Sequence, residues 1–144
     1  MSTYASGTFL RDYWYVGAWS DEVTHKPLAR TLLSESIVFY RKPDGKVVAL
    51  EDRCAHRRLP LSMGAVIGDT IQCAYHGLVY DAAGKCIKIP GQDSVPAGAR
   101  VRSYPVIERD QFVSVWMGDP AKADTSSAIS FPRLGDPGEA RGER

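Results

Sequence analysis

The chain reads as an all-β protein, an antiparallel β-sandwich or small barrel. Three observations predict this class. Short runs rich in aromatic and β-branched residues recur from about residue 11 to residue 120. Turn-forming residues separate those runs at short intervals. Few stretches carry the 3.6-residue apolar period of a helix.

Taken in order, Tyr13, Trp14, Tyr15 and Val16 form the first strand-like run. Ser20, Asp21 and Glu22 predict no more than one short helical turn. Residues 37–40 (Ile-Val-Phe-Tyr) and 47–50 (Val-Val-Ala-Leu) flank Pro43, Asp44 and Gly45, and Asp-Gly between apolar runs is a strong hairpin signal. Ile71 and Gln72 lead into Cys73. Residues 78–80 and 86–89 flank a second turn, Asp81 to Gly84, and residues 104–107 and 112–116 end the series. After Pro120 the composition shifts to Asp, Ser, Gly, Pro and Arg, with Ile129, Phe131 and Leu134 as the sizeable apolar residues. The predicted organisation is an N-terminal tail over 1–10, one domain over 11–120, and an extended or disordered tail over 121–144 that looks like the start of an interdomain segment.

Bulk properties narrow the function. A length of 144 residues predicts one domain with a core of its own. The net charge of +1 gives no general argument for nucleic-acid or membrane partners. No apolar run approaches the roughly 18 residues of a spanning helix, and residues 1–10 lack a secretory pattern. Three cysteines are an odd number; two fall in a ligand pattern, so a disulfide framework is not expected and a reducing cytoplasm is.

That pattern is Cys54-Ala55-His56 and Cys73-Ala74-Tyr75-His76, with sixteen residues between His56 and Cys73. Two thiolates and two imidazoles are the ligand set of a Rieske 2Fe-2S centre, in which two His replace two Cys on one iron. The competing reading is a structural Cys2His2 zinc site. Such sites usually place two or more residues between paired ligands, and Cys54 and His56 enclose one. Each pair is expected on a loop at the end of a hairpin. Arg53 and Pro60 bracket the first loop and Gly77 closes the second. Gly64 and Gly77 would let backbone N–H groups approach cluster sulfur, and Pro90-Gly91 suits a stiff cap over one side.

Around these motifs the chain resembles the Rieske domain of Rieske non-haem iron oxygenases of the vanillate demethylase and dicamba monooxygenase kind. The resembling stretches include Trp14-Tyr15-Val16, residues 26–30, Cys54-Ala55-His56-Arg57, Pro60-Leu61-Ser62, residues 73–78, residues 103–106 and residues 115–120. The resemblance implies a Rieske fold, a β-sandwich with a cluster-binding subdomain inserted between strands. It implies that Cys54 and Cys73 hold the buried iron, and His56 and His76 the iron nearer solvent. Full-length members carry a further C-terminal domain whose mononuclear iron is held by two His and a carboxylate. Here His25 is the one remaining histidine, so that triad cannot be assembled and oxygen activation is not assigned to this chain. What remains is one-electron transfer, from a reductase or ferredoxin to the iron of an oxygenase catalytic domain or subunit. A free-standing Rieske ferredoxin serving a separate oxygenase is the alternative. An aromatic acid or aryl ether substrate is implied by the resemblance alone. Neither ligand loop contains the extra Cys that forms a bridge in high-potential Rieske proteins, which predicts a potential in the lower part of the roughly −150 to +300 mV range.

Other residues weigh less. Cys86, in an apolar run, reads as a buried inert thiol. His25 reads as a solvated imidazole. Arg53, Arg57 and Arg58 crowd the first loop, either as a positive rim that steers an acidic donor or as a solvated face partly neutralised by Glu51 and Asp52. Tyr75 is as well explained by packing as by a role at the cluster. Trp14, Trp19 and Trp116 read as core, and Tyr80 and Asp81 as a turn with no special role.

Overall fold

The computed structural model describes residues 12–54, 59–74, 77–96 and 98–123. Ten strands account for most of them: β1 (Tyr13–Trp19), β2 (Leu28–Leu32), β3 (Glu35–Arg41), β4 (Val47–Glu51), β5 (Ala65–Ile67), β6 (Thr70–Gln72), β7 (Val79–Tyr80), β8 (Cys86–Lys88), β9 (Val106–Arg109) and β10 (Phe112–Met117). Three single 3-10 turns, Ser20–Glu22, Leu61–Met63 and Pro120–Lys122, complete the described elements. The helical turn expected near Ser20 is the first of them.

All pairings are antiparallel and fall into three sheets, ordered β1-β10-β9, β2-β3-β4 and β5-β6-β7-β8. The predicted all-β antiparallel architecture is present, with the third sheet inserted in sequence between β4 and β9. The β3–β4 hairpin forms over the predicted Asp44-Gly45 turn, where Gly45 has φ +92°. Two other hairpins close on residues with no glycine. Leu33 and Ser34 (φ 50° and 67°) join β2 to β3, and Asp110 and Gln111 (φ 53° and 72°) join β9 to β10. Both are two-residue loops with positive φ at each position, the geometry of a type I′ turn.

The central sheet explains the unbroken apolar run at 37–40. Ile37, Val38, Phe39 and Tyr40 are all fully buried. Ile37 and Phe39 join Ala18, Ala49, Val113 and Val115 in a core against the first sheet. Val38 and Tyr40 point the other way and join Leu50, Leu61, Ile71 and Tyr80 against the third. A strand covered on both faces needs apolar residues at every position rather than alternation, and burying Ile37, Val38 and Phe39 contributes about 1.5–3 kcal/mol each. The molecule is therefore layered, with the β2-β3-β4 sheet in the middle.

Arg41 ties the first two layers together at one end. Its guanidinium donates to the carbonyls of Val23 (2.9 Å), Ser20 (2.8 Å) and Gly45 (2.7 Å), and both oxygens of Glu108 accept from it at 3.1 and 2.9 Å. Trp14 and Trp116 are buried edge to face on the outer side of the first sheet, as expected of core residues. Trp19 is not core. It is half-buried and stacks on Phe112 with ring centres 4.6 Å apart.

Candidate metal centre

Cys54 lies three residues beyond the end of β4 and Cys73 one residue beyond β6. Both side chains are buried, at 0% and 2% exposure, in the apolar cluster between the central and third sheets. The two are held alike. The Cys54 N–H donates to the Leu59 carbonyl at 2.6 Å and the Cys73 N–H to the Leu78 carbonyl at 2.7 Å. Each cysteine thus closes the mouth of a short loop onto the carbonyl five residues on. In sequence, His56 falls within the first of these spans and His76 within the second. His56, Arg57, Arg58, Tyr75 and His76 themselves lie outside the described residues.

The second loop is a hairpin, as expected. β6 pairs with β7, Gly77 takes φ +73°, and the Gln72 side-chain amide donates to the Gly77 carbonyl at 3.2 Å. A Cβ on Gly77 would come within 3.3 Å of Pro90 Cγ, so Pro90 packs against this turn. The first loop is not a hairpin. It leaves β4 in the central sheet, and the chain re-enters through the Leu61–Met63 turn into β5 of the third sheet. Asp52 fastens its two sides. One carboxylate oxygen accepts from the Ser62 N–H and the other from the Ser62 hydroxyl, both at 2.7 Å.

Gly64 serves differently from the expectation. Its N–H donates to the Leu61 carbonyl at 2.9 Å and so is not directed at sulfur. Its missing Cβ lets the backbone lie directly on the Gln72 carbonyl, beside Cys73. The return limb of the first loop and the start of the second are thereby in contact.

Two residues that sequence reasoning passed over stand at the site. Tyr80 is fully buried, and its hydroxyl lies 3.3 Å from Cys54 Sγ. A metal-bound thiolate has no proton, so the tyrosine is then the donor. The available signal was that a buried tyrosine hydroxyl needs a partner, and Tyr80 sits on a strand that starts from the second ligand loop. Asp52 is the other. The sequence places it beside a solvated face, yet it is 8% exposed and committed to Ser62. Glu51 pairs with Arg53 at 2.8 Å, neutralising that one member of the expected rim. Arg102, on the same face, lies 3.6 Å from Glu35, so these two arginines contribute little net positive field.

Cys86 is buried as expected, in the same cluster as Cys54 and Cys73. Burial raises its thiol pKa, and the nearby Cys54 pushes it the same way. No disulfide joins the three cysteines. His25 is exposed, with Nδ1 2.9 Å from the Arg41 carbonyl. Arg41 pairs with Val47, at the opposite end of β4 from Glu51, so His25 is remote from the ligand loops. Among the described residues no three His, Cys, Asp or Glu side chains converge on a metal position. The two buried thiols, enclosed by Leu61, Ile71, Leu78 and Tyr80 with a hydroxyl donor at one sulfur, fit a soft iron-sulfur group.

Comparison with known proteins agrees. The profile described as Rieske [2Fe-2S] domain matches residues 13–105. The chain is 46% identical over 124 residues to the iron-sulfur subunit of a toluene-4-sulfonate monooxygenase system from Comamonas testosteroni, covering 85% of this chain and 36% of the relative. It is 47% identical over 131 residues to the oxygenase component of dicamba O-demethylase from Stenotrophomonas maltophilia, covering 90% and 39%. A crystal structure of dicamba monooxygenase superposes with a TM-score of 0.85 at 45% identity, over 91% of this chain and 42% of that one. The chain thus spans somewhat more than a third of the length of these relatives. No helix among the described residues is long and apolar enough to cross a membrane. The buried cysteine pair, the inserted third sheet and the match over most of the strands place this chain in the Rieske [2Fe-2S] domain family, on the side of the oxygenase components, with a Rieske-type 2Fe-2S cluster as its cofactor.

Proposed function

We propose that this chain passes single electrons through a Rieske 2Fe-2S cluster held by Cys54, His56, Cys73 and His76, as the redox domain of an aromatic-compound oxygenase. Cys54 and Cys73 would hold one iron, and His56 and His76 the other. In this reading electrons come from a reductase or ferredoxin and leave for a mononuclear iron not supplied by residues 1–144. The observation that carries the proposal is the pair of buried cysteines, each closing a five-residue span that contains one of the two motif histidines. The relatives support the oxygenase setting, since their names describe an iron-sulfur subunit of a monooxygenase system and the oxygenase component of an O-demethylase. A cytoplasmic setting and the domain limits of 11–120 belong to the same reading.

When bound, the cluster supplies a one-electron couple. The protein's part is to hold and tune it. Backbone closure at Leu59 and Leu78 fixes where the two sulfurs sit. The apolar cluster of Leu61, Ile71 and Leu78 keeps water from them. Tyr80 holds its hydroxyl against Cys54 Sγ, which favours the more negative state and raises the potential. The absence of a cysteine pair in the loops keeps it in the lower Rieske range.

Iron and acid-labile sulfide in equal amounts, two of each per chain, are expected in the reconstituted protein. Its dithionite-reduced form is expected to give a paramagnetic resonance spectrum with the low average g value of a Rieske centre. Zinc without sulfide would overturn the proposal.

A further inference from the structure

The first ligand loop needs a closure that the second already has. Cys73 sits in the β6–β7 hairpin, where ladder hydrogen bonds hold both sides. The chain leaves one sheet before Cys54 and returns in another, so among the described residues no strand pairing spans that loop. We propose that Asp52 is a positioning residue of the cluster: its carboxylate, fastened to Ser62, fixes the mouth of the first ligand loop and holds the reduction potential down. The proposal rests on the assignment of Cys54 as a ligand.

Asp52 is anchored on both sides. Its N–H donates to the Ser36 carbonyl at the start of β3, at 2.9 Å. Its two oxygens take the Ser62 N–H and hydroxyl at 2.7 Å each, lengths typical of hydrogen bonds to a charged acceptor. Ser62 lies in the turn that delivers Leu61 into the core and Gly64 onto Gln72. The position of Asp52 is thereby passed to the second ligand loop as well.

The neighbouring Arg53 pairs with Glu51, and among the described residues no ion pair engages Asp52. Two residues of chain span at most about 7 Å between Cα atoms, so the Asp52 backbone lies within that reach of Cys54. Its side chain is also buried, where salt screens poorly. A negative charge there opposes the arrival of an electron.

The test uses the full chain reconstituted with iron and sulfide, carrying Asp52→Asn, Ser62→Ala or Ser62→Thr. Redox titration is expected to show the Asp52→Asn equilibrium displaced about tenfold toward the reduced form, about 59 mV for one electron. Ser62→Ala is expected to move it less than twofold but to lose the cluster to a chelator about tenfold faster, with Ser62→Thr restoring retention. An Asp52→Asn potential at or below wild type, or wild-type cluster retention in Ser62→Ala, overturns the proposal. Wild-type iron and sulfide are measured alongside, so a wrong ligand assignment shows itself separately. In that event amide exchange over residues 59–63, read without cluster, still decides. Unchanged exchange in Asp52→Ala overturns the closure.

Discussion

Replacing Gly64 by Ala adds a single methyl group where the two ligand loops touch. Its φ of −94° lies outside the left-handed region that favours glycine. The new Cβ would overlap the Gln72 carbonyl oxygen and lie 2.9 Å from the Gln72 carbonyl carbon and 3.1 Å from the Ala74 nitrogen. All three are backbone atoms and cannot swing aside. Relief requires β5 and β6 to part near the Ala65–Gln72 pair, the last of their three-residue ladder. Overpacking costs about 1–3 kcal/mol, and a lost ladder hydrogen bond about 1 kcal/mol more, for a total of about 2–4 kcal/mol. At about 4 °C per kcal/mol for a chain of this size, Tm should fall by about 8–16 °C. Gly68→Ala is the control. It lies in the adjoining β5–β6 turn with nothing within 4 Å of its Cβ, but at φ +61°. It should cost about 1–2 kcal/mol through backbone strain alone. Thermal unfolding followed by circular dichroism compares the two. If Gly64→Ala melts no lower than Gly68→Ala, the account of Gly64 as the contact between the loops is wrong.

Tyr80→Phe removes the donor at Cys54 Sγ. Hydrogen bonds to charged groups exceed neutral ones by about 1 kcal/mol, so the potential should fall by about 40 mV for one electron, measured by redox titration. Cys86→Ala should leave iron and sulfide per chain unchanged, because this buried thiol is not among the proposed ligands, and metal and sulfide analysis checks it. The Arg41 hydrogen bonds hold the Glu108 carboxyl below the ordinary glutamate range. A lowered folded pKa means that the stabilisation is present above about pH 4.5 and is lost as the pH falls below it. Urea unfolding at pH 7 and pH 3.5 should therefore show a larger loss of stability for wild type than for Glu108→Gln.

Legibility in the sequence followed local signals. β3, β4, β7 and β8 stood out because Asp-Gly and Asp-Ala-Ala-Gly turns bound them. β2 did not, because Leu33-Ser34 closes its hairpin in a backbone shape that neither residue favours alone. Leu33 packs against the core of the first and central sheets, so tertiary contact sets that turn. β5 is three residues long, too short for alternation to register. The Rieske-type cofactor was legible because metal chemistry fixes residue type and spacing together. Asp52 and Tyr80 were not, because each acts across a distance in sequence, Asp52 on Ser62 and Tyr80 on Cys54.

The two ligand loops differ in what holds them, and that difference ranks their tolerance to change. The second loop draws on the β6–β7 ladder, the Gln72 amide and Pro90. Losing any one of these leaves the others in place. The return limb of the first loop depends on the Cys54–Leu59 closure, the Asp52–Ser62 pair and the burial of Leu61. It also spans two sheets, so any slip between those sheets acts directly on it. With Cys54 as a proposed ligand, its burial at the joint between two layers makes the cluster position sensitive to how the layers sit. It equally makes a bound cluster a fastening between them, because a ligand that binds only the folded state stabilises it by mass action. Removing iron from the wild-type protein should accordingly loosen the packing of the third sheet on the central one before it disturbs the Arg41 end.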